Sequence, residues 1–231
     1  MTVILGRSGV GKSTLISLIA GMLMQSDSVV EECLGRISVN GGTPSQLRGP
    51  RNVSWVPQSP LLLDHLSVLE NILLPATVDD THDAAKLEAR AIELMGEAGL
   101  AGKGHCHPRE LSGGMMTRVS LLRALITSPR VLFMDEPFSG LDLVTRFDIY
   151  RLIQRERSDE SMTTIITTHD IPEAALLADR VVLIKEDDEL GTWAEVFPNS
   201  PACLDDWAGA LASARASATR FEKRLFTGEP V

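Results

Sequence analysis

Gly6-Arg7-Ser8-Gly9-Val10-Gly11-Lys12-Ser13-Thr14 follows the apolar run Val3-Ile4-Leu5. The order is a short strand, a glycine-rich turn, and a Lys-Ser-Thr step that opens a helix. The spacing G-x-x-x-x-G-K-[ST] is that of a phosphate-binding loop. Successive backbone N–H groups in such a turn point inward and cradle anionic oxygens. Unpaired N–H groups at the start of the next helix add positive potential. Lys12 is placed to reach terminal phosphates, and Ser13 to put a hydroxyl on magnesium.

The chain of 231 residues has room for one large domain, or a domain carrying a subdomain. Its apolar fraction of 44% supplies a core, and with only 4% aromatics that core is aliphatic. A net charge of −9 argues against nonspecific binding to nucleic acid or anionic lipid. Cys33, Cys106 and Cys203 follow no metal-ligand spacing and fit a reducing compartment. His105 and His107 flank Cys106, a weak basis for a metal site. No signal peptide or spanning segment is read, so a membrane role must come through a partner.

Outward from the loop, a helix is expected to run on through Leu15–Met24. Gln25–Cys33 reads as a loop, Arg36–Val39 as a strand and Thr43–Arg51 as a weak helix. Asn52–Val56 is a strand that runs into Pro57-Gln58-Ser59-Pro60, where regular structure stops. Ser67 and Glu70 form a capping box before a helical turn. Asp79–Gly99 reads as an amphipathic helix, 99–110 as a loop, and a further helix starts near Gly113 and ends near Leu125. Val131–Met134 is a buried strand, Val144–Glu156 a helix, and Thr163–Thr168 a β-branched, fully buried strand. Ile171–Ala178 is helical, Arg180–Ile184 a strand, Lys185–Glu189 an acidic turn, and Ala202–Leu225 a surface helix. Strands alternating with helices after a phosphate loop give an α/β fold with a mostly parallel sheet flanked by helices. The expected division is a core of 1–58 and 112–200, an inserted helical subdomain of 59–111, and a helical tail of 201–231, all within one domain.

Two more stretches carry chemistry. Val131-Leu132-Phe133-Met134 delivers Asp135 and Glu136 at the carboxyl end of a strand. One carboxylate beside a magnesium ion, through water, and a second toward an attacking water suit phosphoryl transfer to water. Leu111-Ser112-Gly113-Gly114 precedes a long helix, so its hydroxyl and amides offer a second anion site. Two anion sites on one chain point to two chains sharing each nucleotide.

Together these stretches resemble the nucleotide-binding subunit of an ABC transporter, from Met1 to about Val196. Gly6–Thr14 matches the Walker A loop, Gln58 the Q-loop, Leu111–Gly114 the signature and Val131–Glu136 the Walker B strand. Ser139-Gly140-Leu141-Asp142 resembles the D-loop, and His169 the switch histidine. The resemblance implies a P-loop NTPase core and a head-to-tail homodimer or pseudo-dimer with two ATP molecules between the chains. Each ATP is then held by Gly6, Arg7, Ser8, Gly9, Val10, Gly11, Lys12, Ser13 and Thr14 of one chain and Ser112, Gly113 and Gly114 of the other. Mg2+ is expected on Ser13, Gln58 and Asp135. Glu136, His169 and Gln58 are the expected catalytic residues, with Asp142 organising the interface. Permease subunits are expected near Gln58–Leu66, with Leu61, Leu62, Leu63 and Leu66 offering apolar contacts. A periplasmic solute-binding protein is a further possible partner, and the expected location is the cytoplasmic face of the inner membrane.

The sequence departs from the family pattern in places. Met115 stands where the signature has glutamine, and Gly140 where the D-loop has alanine. Members also carry antiparallel strands ahead of the Walker A loop, with an aromatic that stacks on adenine. The sequence from Met1 shows neither, which puts discrimination between ATP and GTP in doubt. The resemblance implies ATP hydrolysis that powers transport of a small solute through a separate permease, and the chain looks most similar to the ATPases of bacterial importers. An exporter ATPase and a non-transport or non-catalytic regulatory subunit stay open on the same motifs.

Overall fold

The computed structural model describes residues 1–22, 49, 52–78, 83–157, 162–187 and 191–199, and, near the end, 209, 212, 214–219 and 221. The strand expected at Arg36–Val39, the loop at 25–33 and most of the weak helix at 43–51 lie outside these residues. The chain divides into two compact units, Met1–Arg48 with Thr164–Val231, and Gly49–Thr163.

In the first unit, strand β1 (Thr2–Leu5) leads through the glycine-rich turn into helix α1 (Lys12–Ile19). α1 is shorter than the sequence suggested. Gly21 takes φ +69°, a left-handed conformation that glycine adopts without a Cβ penalty. Its amide bonds to Leu18 O at 3.1 Å, and the Met22 amide to Ser17 O at 2.9 Å. This paired closure ends the helix five residues before Met24 and satisfies its last carbonyls.

β1 lies between two parallel neighbours, β4 (Thr163–Thr168) and β5 (Arg180–Asp187), with Leu5 opposite Thr168 on one side and Leu183 on the other. α6 (Ile171–Leu177) joins those neighbours. β4 is not buried throughout, since Thr163 is exposed and Ile165 half-buried. β5 runs past Ile184 into the stretch read as an acidic turn, because it pairs antiparallel with β6 (Gly191–Pro198), from Arg180↔Pro198 to Asp187↔Gly191. β6 was not expected from the sequence. Further on, 214–219 and 221 have helical backbone, Ala214, Ala218 and Phe221 are buried, and the Phe221 ring lies 6.4 Å from that of Phe197.

The second unit pairs β2 (Val53–Val56) in parallel with β3 (Val131–Asp135). Around them are α2 (Val68–Leu73), α3 (Ala84–Glu97), α4 (Gly113–Leu125) and α5 (Leu143–Glu156). Each starts on a side chain that accepts from its first turn: Ser67, Asp83, Ser112 and Asp142. β3 is buried along its whole length. Phe138 packs edge-on to Tyr150 at 4.8 Å, which holds α5 to the turn after β3, and Phe147 of the same helix sits 5.5 Å from the Tyr150 ring. α3 and α5 are also bridged by Arg90–Glu156 at 2.5 Å and by Arg155–Glu97.

Candidate functional site

In the first unit the glycine-rich turn, the expected anion cradle, joins β1 to α1. Gly9 and Gly11 take φ +85° and +97°. A Cβ on either would meet nothing within 4 Å, so it is the left-handed backbone and not crowding that calls for glycine there. Gly6 is crowded instead: its Cβ would lie 2.9 Å from Ile184 O, so only glycine lets the loop leave β1 this close to β5. Gly11 is the N-cap of α1 and supplies no side-chain bond, and the first turn carries no acid. The helix therefore presents amides and the positive end of its dipole to the cradle. Lys12 is buried at 4% exposure, and its ammonium donates to Gly6 O and Arg7 O at 3.0 Å each. The lysine head is thus folded back onto its own loop, while Ser13 and Thr14 are exposed. His169, also exposed, follows directly on Thr168. Thr168 pairs with Leu5 and accepts from the Gly6 amide at 3.3 Å. The histidine and the cradle therefore share one end of adjacent strands.

In the second unit the parallel register sets Val56 opposite Met134. Gln58 and Glu136 each follow two residues later, so both leave the carboxyl ends of neighbouring strands. Asp135 is 7% exposed. Glu136 takes φ +44°, an uncommon conformation for a residue with a side chain. Ser112 and Gly113 are exposed, and the Ser112 hydroxyl accepts from the Met115 amide at 3.3 Å. A Cβ on Gly114 would lie 3.2 Å from the Leu141 side chain and 4.0 Å from Gly140 O. The Ser112–Gly114 turn and the Gly140–Asp142 turn are therefore packed together. Asp142 accepts from Thr145 N at 3.0 Å and from the Thr145 hydroxyl at 2.6 Å. These bonds, the hydroxyl's first, hold its carboxyl below the ordinary 3.8. A lowered carboxyl stabilises the fold above its unfolded pKa and loses that contribution as pH falls through the folded value.

Residues 1–139 match the family described as ABC transporter. The chain belongs to that family. Among ABC transporter relatives, the aliphatic sulfonates import ATP-binding protein SsuB 1 of Rhodococcus jostii is 40% identical over 182 residues, 79% of this chain and 66% of that protein. The sulfate/thiosulfate import ATP-binding protein CysA of Thermosynechococcus vestitus is 37% identical over 206 residues, 87% of this chain and 59% of its own. The chain spans about two thirds or less of these relatives' length. A dimeric ATP-binding cassette in a post-hydrolysis state, bound to ADP and Pi, superposes with a TM-score of 0.69 at 26% identity, covering 80% of this chain and 81% of that one.

The ABC transporter residues picked from the sequence thus fall into local groups. Gly6–Thr14 and His169 form one, Gln58 with Asp135 and Glu136 a second, and Ser112–Gly114 with Asp142 a third. Leu61 and Leu63 are exposed at 66% and 38%, while Leu62 and Leu66 are half-buried. No group of three or more His, Cys, Asp or Glu that could hold a metal is found among the described residues, His105, Cys106 and His107 included. No helix among them is long and apolar enough to cross a membrane.

Several supporting residues were not singled out by sequence. Asn71 is fully buried and donates to the carbonyls of Leu63, Leu66 and Ser67 at 2.9–3.1 Å while accepting from Leu63 N at 2.8 Å. Arg123 of α4 donates to Leu61 O at 2.5 Å. Together they pin the segment after Gln58. The only sequence signal was an asparagine inside an apolar helical turn, Leu69-Glu70-Asn71-Ile72. Glu173 and the Thr168 hydroxyl, behind His169, gave no such signal.

Proposed function

We propose that the chain hydrolyses ATP as one half of a head-to-tail dimer and thereby powers uptake of a small solute through a separate permease. The observation that carries hydrolysis is Glu136. It is a carboxylate at the mouth of a fully buried strand, beside Asp135, held in an uncommon backbone conformation. Backbone strain of this kind persists where the surrounding structure enforces it, and it clusters at working sites.

In this reading the amides of Gly9 to Thr14 and the Lys12 ammonium bind the phosphates. Glu136 accepts a proton from the attacking water, and His169 holds the terminal phosphate. The donor set of Ser13, Asp135 and Gln58 is all oxygen, which suits a hard cation of magnesium's type. Such an ion, when bound, neutralises charge that builds on the transferred phosphoryl group. Ser112–Gly114 of a second chain covers the nucleotide, with Asp142 beside it. Residues 59–111 act as the inserted subdomain, and exposed Leu61 and Leu63 meet an apolar helix of the permease. That contact places the chain on the cytoplasmic face of the membrane. Import over export draws support from the relatives named as import ATP-binding proteins.

The test is turnover of the chain and of Glu136→Gln. The amide keeps the shape and loses the base, so hydrolysis is expected to fall at least ~100-fold while ATP still binds. Wild-type chain that binds ATP without turning it over, alone or with its permease, would leave a regulatory subunit as the better reading.

A further inference from the structure

We propose that Glu173 is a positioning residue for His169, acting through the Thr168 hydroxyl. The inference rests on the assignment of His169 to the terminal phosphate. Thr168 ends β4 and is buried, at 3% exposure. Its hydroxyl donates to Glu173 Oε2 at 2.6 Å and accepts from the Asp170 amide at 3.0 Å. The Asp170 carboxyl in turn accepts from the Glu173 amide at 3.2 Å, as the N-cap of α6. Three hydrogen bonds therefore close a ring around the step from β4 to α6, and His169 is its exposed apex. Thr168 also receives the Gly6 amide on its carbonyl. One residue thus holds both the start of the phosphate cradle and the base of the histidine.

Glu173 is itself only 6% exposed. A carboxyl so deeply buried is costly to keep without a specific partner. Helix packing alone needs no carboxyl there; an apolar side chain of similar size would serve. What the carboxyl adds is direction. With its proton aimed at Glu173, the Thr168 hydroxyl must offer lone pairs toward Asp170 N. That fixes the peptide plane on the carboxyl side of His169, and with it the line along which the imidazole leaves the chain. Without the carboxyl, the hydroxyl is free to rotate and the turn loses one wall. Catalytic geometry is sensitive to displacements on this scale.

The experiment uses the full chain with Glu173→Gln, Thr168→Val, Thr168→Ser and His169→Ala, and Glu173→Gln in the His169→Ala background. Glu173→Gln and Thr168→Val are expected to lower kcat at least tenfold while KM and the affinity for a fluorescent ATP analogue hold. Thr168→Ser, which keeps the hydroxyl, recovers most of what Thr168→Val loses. The amides of His169 and Asp170 gain fast motion in 15N relaxation of the nucleotide-free Glu173→Gln chain. In the His169→Ala background, Glu173→Gln has no further effect, because the two residues act as one. An equal effect in both backgrounds overturns the proposal, as does a loss of affinity that merely tracks thermal stability. Wild-type turnover in Glu173→Gln beside an impaired His169→Ala defeats the positioning role alone. Wild-type turnover in His169→Ala defeats the assignment beneath it.

Discussion

Glu136 sits at φ +44°, where a Cβ crowds the backbone and costs roughly 1–2 kcal/mol. Pro137 follows it and is buried, as is Phe138 at 1% exposure, so the turn cannot relax outward. The Ser139 amide closes it by bonding to Glu136 O at 3.2 Å. Function and stability therefore pull apart at this one position. Glu136→Gly removes the strained Cβ and the carboxylate together. Relative to wild type, the glycine chain is expected to be as stable or up to about 1 kcal/mol more so, since relief of strain is offset by greater freedom when unfolded. Turnover drops as far as in Glu136→Gln. Thermal unfolding and single-turnover hydrolysis check the pair. A clearly destabilised glycine chain would mean that the carboxylate, and not the backbone around it, sets the turn.

Among the elements, the segment between β2 and α2 depends most on a single side chain. Asn71 fills four hydrogen-bonding positions with no exposure, and every partner is backbone of Leu63, Leu66 or Ser67. Asn71→Leu keeps the volume but takes their side-chain partner from Leu63 N and Leu66 O, each at about 1–3 kcal/mol, whereas Leu63 O keeps the Leu66 amide and Ser67 O the residue-71 amide. The expected loss is about 3 kcal/mol by urea unfolding, together with rapid hydrogen exchange at the Leu63 and Leu66 amides. Ser67→Ala, which removes only a surface cap, is expected to cost about 1 kcal/mol and to spare those amides; equal protection in both variants would show that Asn71 does not hold the segment. The same contrast explains which elements the sequence revealed. Ser67, Glu70, the helix start near Gly113 and the Val131–Met134 run were legible because caps and buried strands are short-range patterns. The end of α1 was also local, written in Gly21, and the apolar residues up to Met24 hid it. β6 and the extension of β5 were not local at all: neither Lys185–Asp187 nor Gly191–Pro198 is a strong strand by itself, and each is a strand through the other. The burial of Ala214, Ala218 and Phe221 at helical spacing was likewise invisible until Phe197 was there to receive it. At the candidate site, the residues proposed to meet the nucleotide carried motifs, while Asn71, Arg123 and Glu173 make contacts that no motif records.

At the scale of the whole molecule, the proposed dimer has to form against charge. Each chain carries −9, so approach is opposed at low salt and must be driven by contacts at short range. The second unit offers a place for them. Leu143 and Val144 are 57% and 70% exposed on the first turn of α5, directly after Asp142. The neighbouring start of α4 has Ser112 and Gly113 exposed and no acid in its first turn, so it favours an anion brought by a second chain. Replacing both apolar residues, Leu143→Asp with Val144→Asp, separates fold from assembly. Two carboxylates in the first turn of α5 suit the helix dipole, so thermal stability should hold or rise by a few tenths of a kcal/mol. The same carboxylates would face the partner's nucleotide phosphates and lose the apolar contact. ATP-dependent association, followed by sedimentation in the Glu136→Gln background, should weaken at least tenfold. Added salt should restore the double variant only in part, because it screens the new charges but cannot replace the buried apolar area. Undiminished association would put the interface elsewhere and leave Leu143 and Val144 free for a different partner.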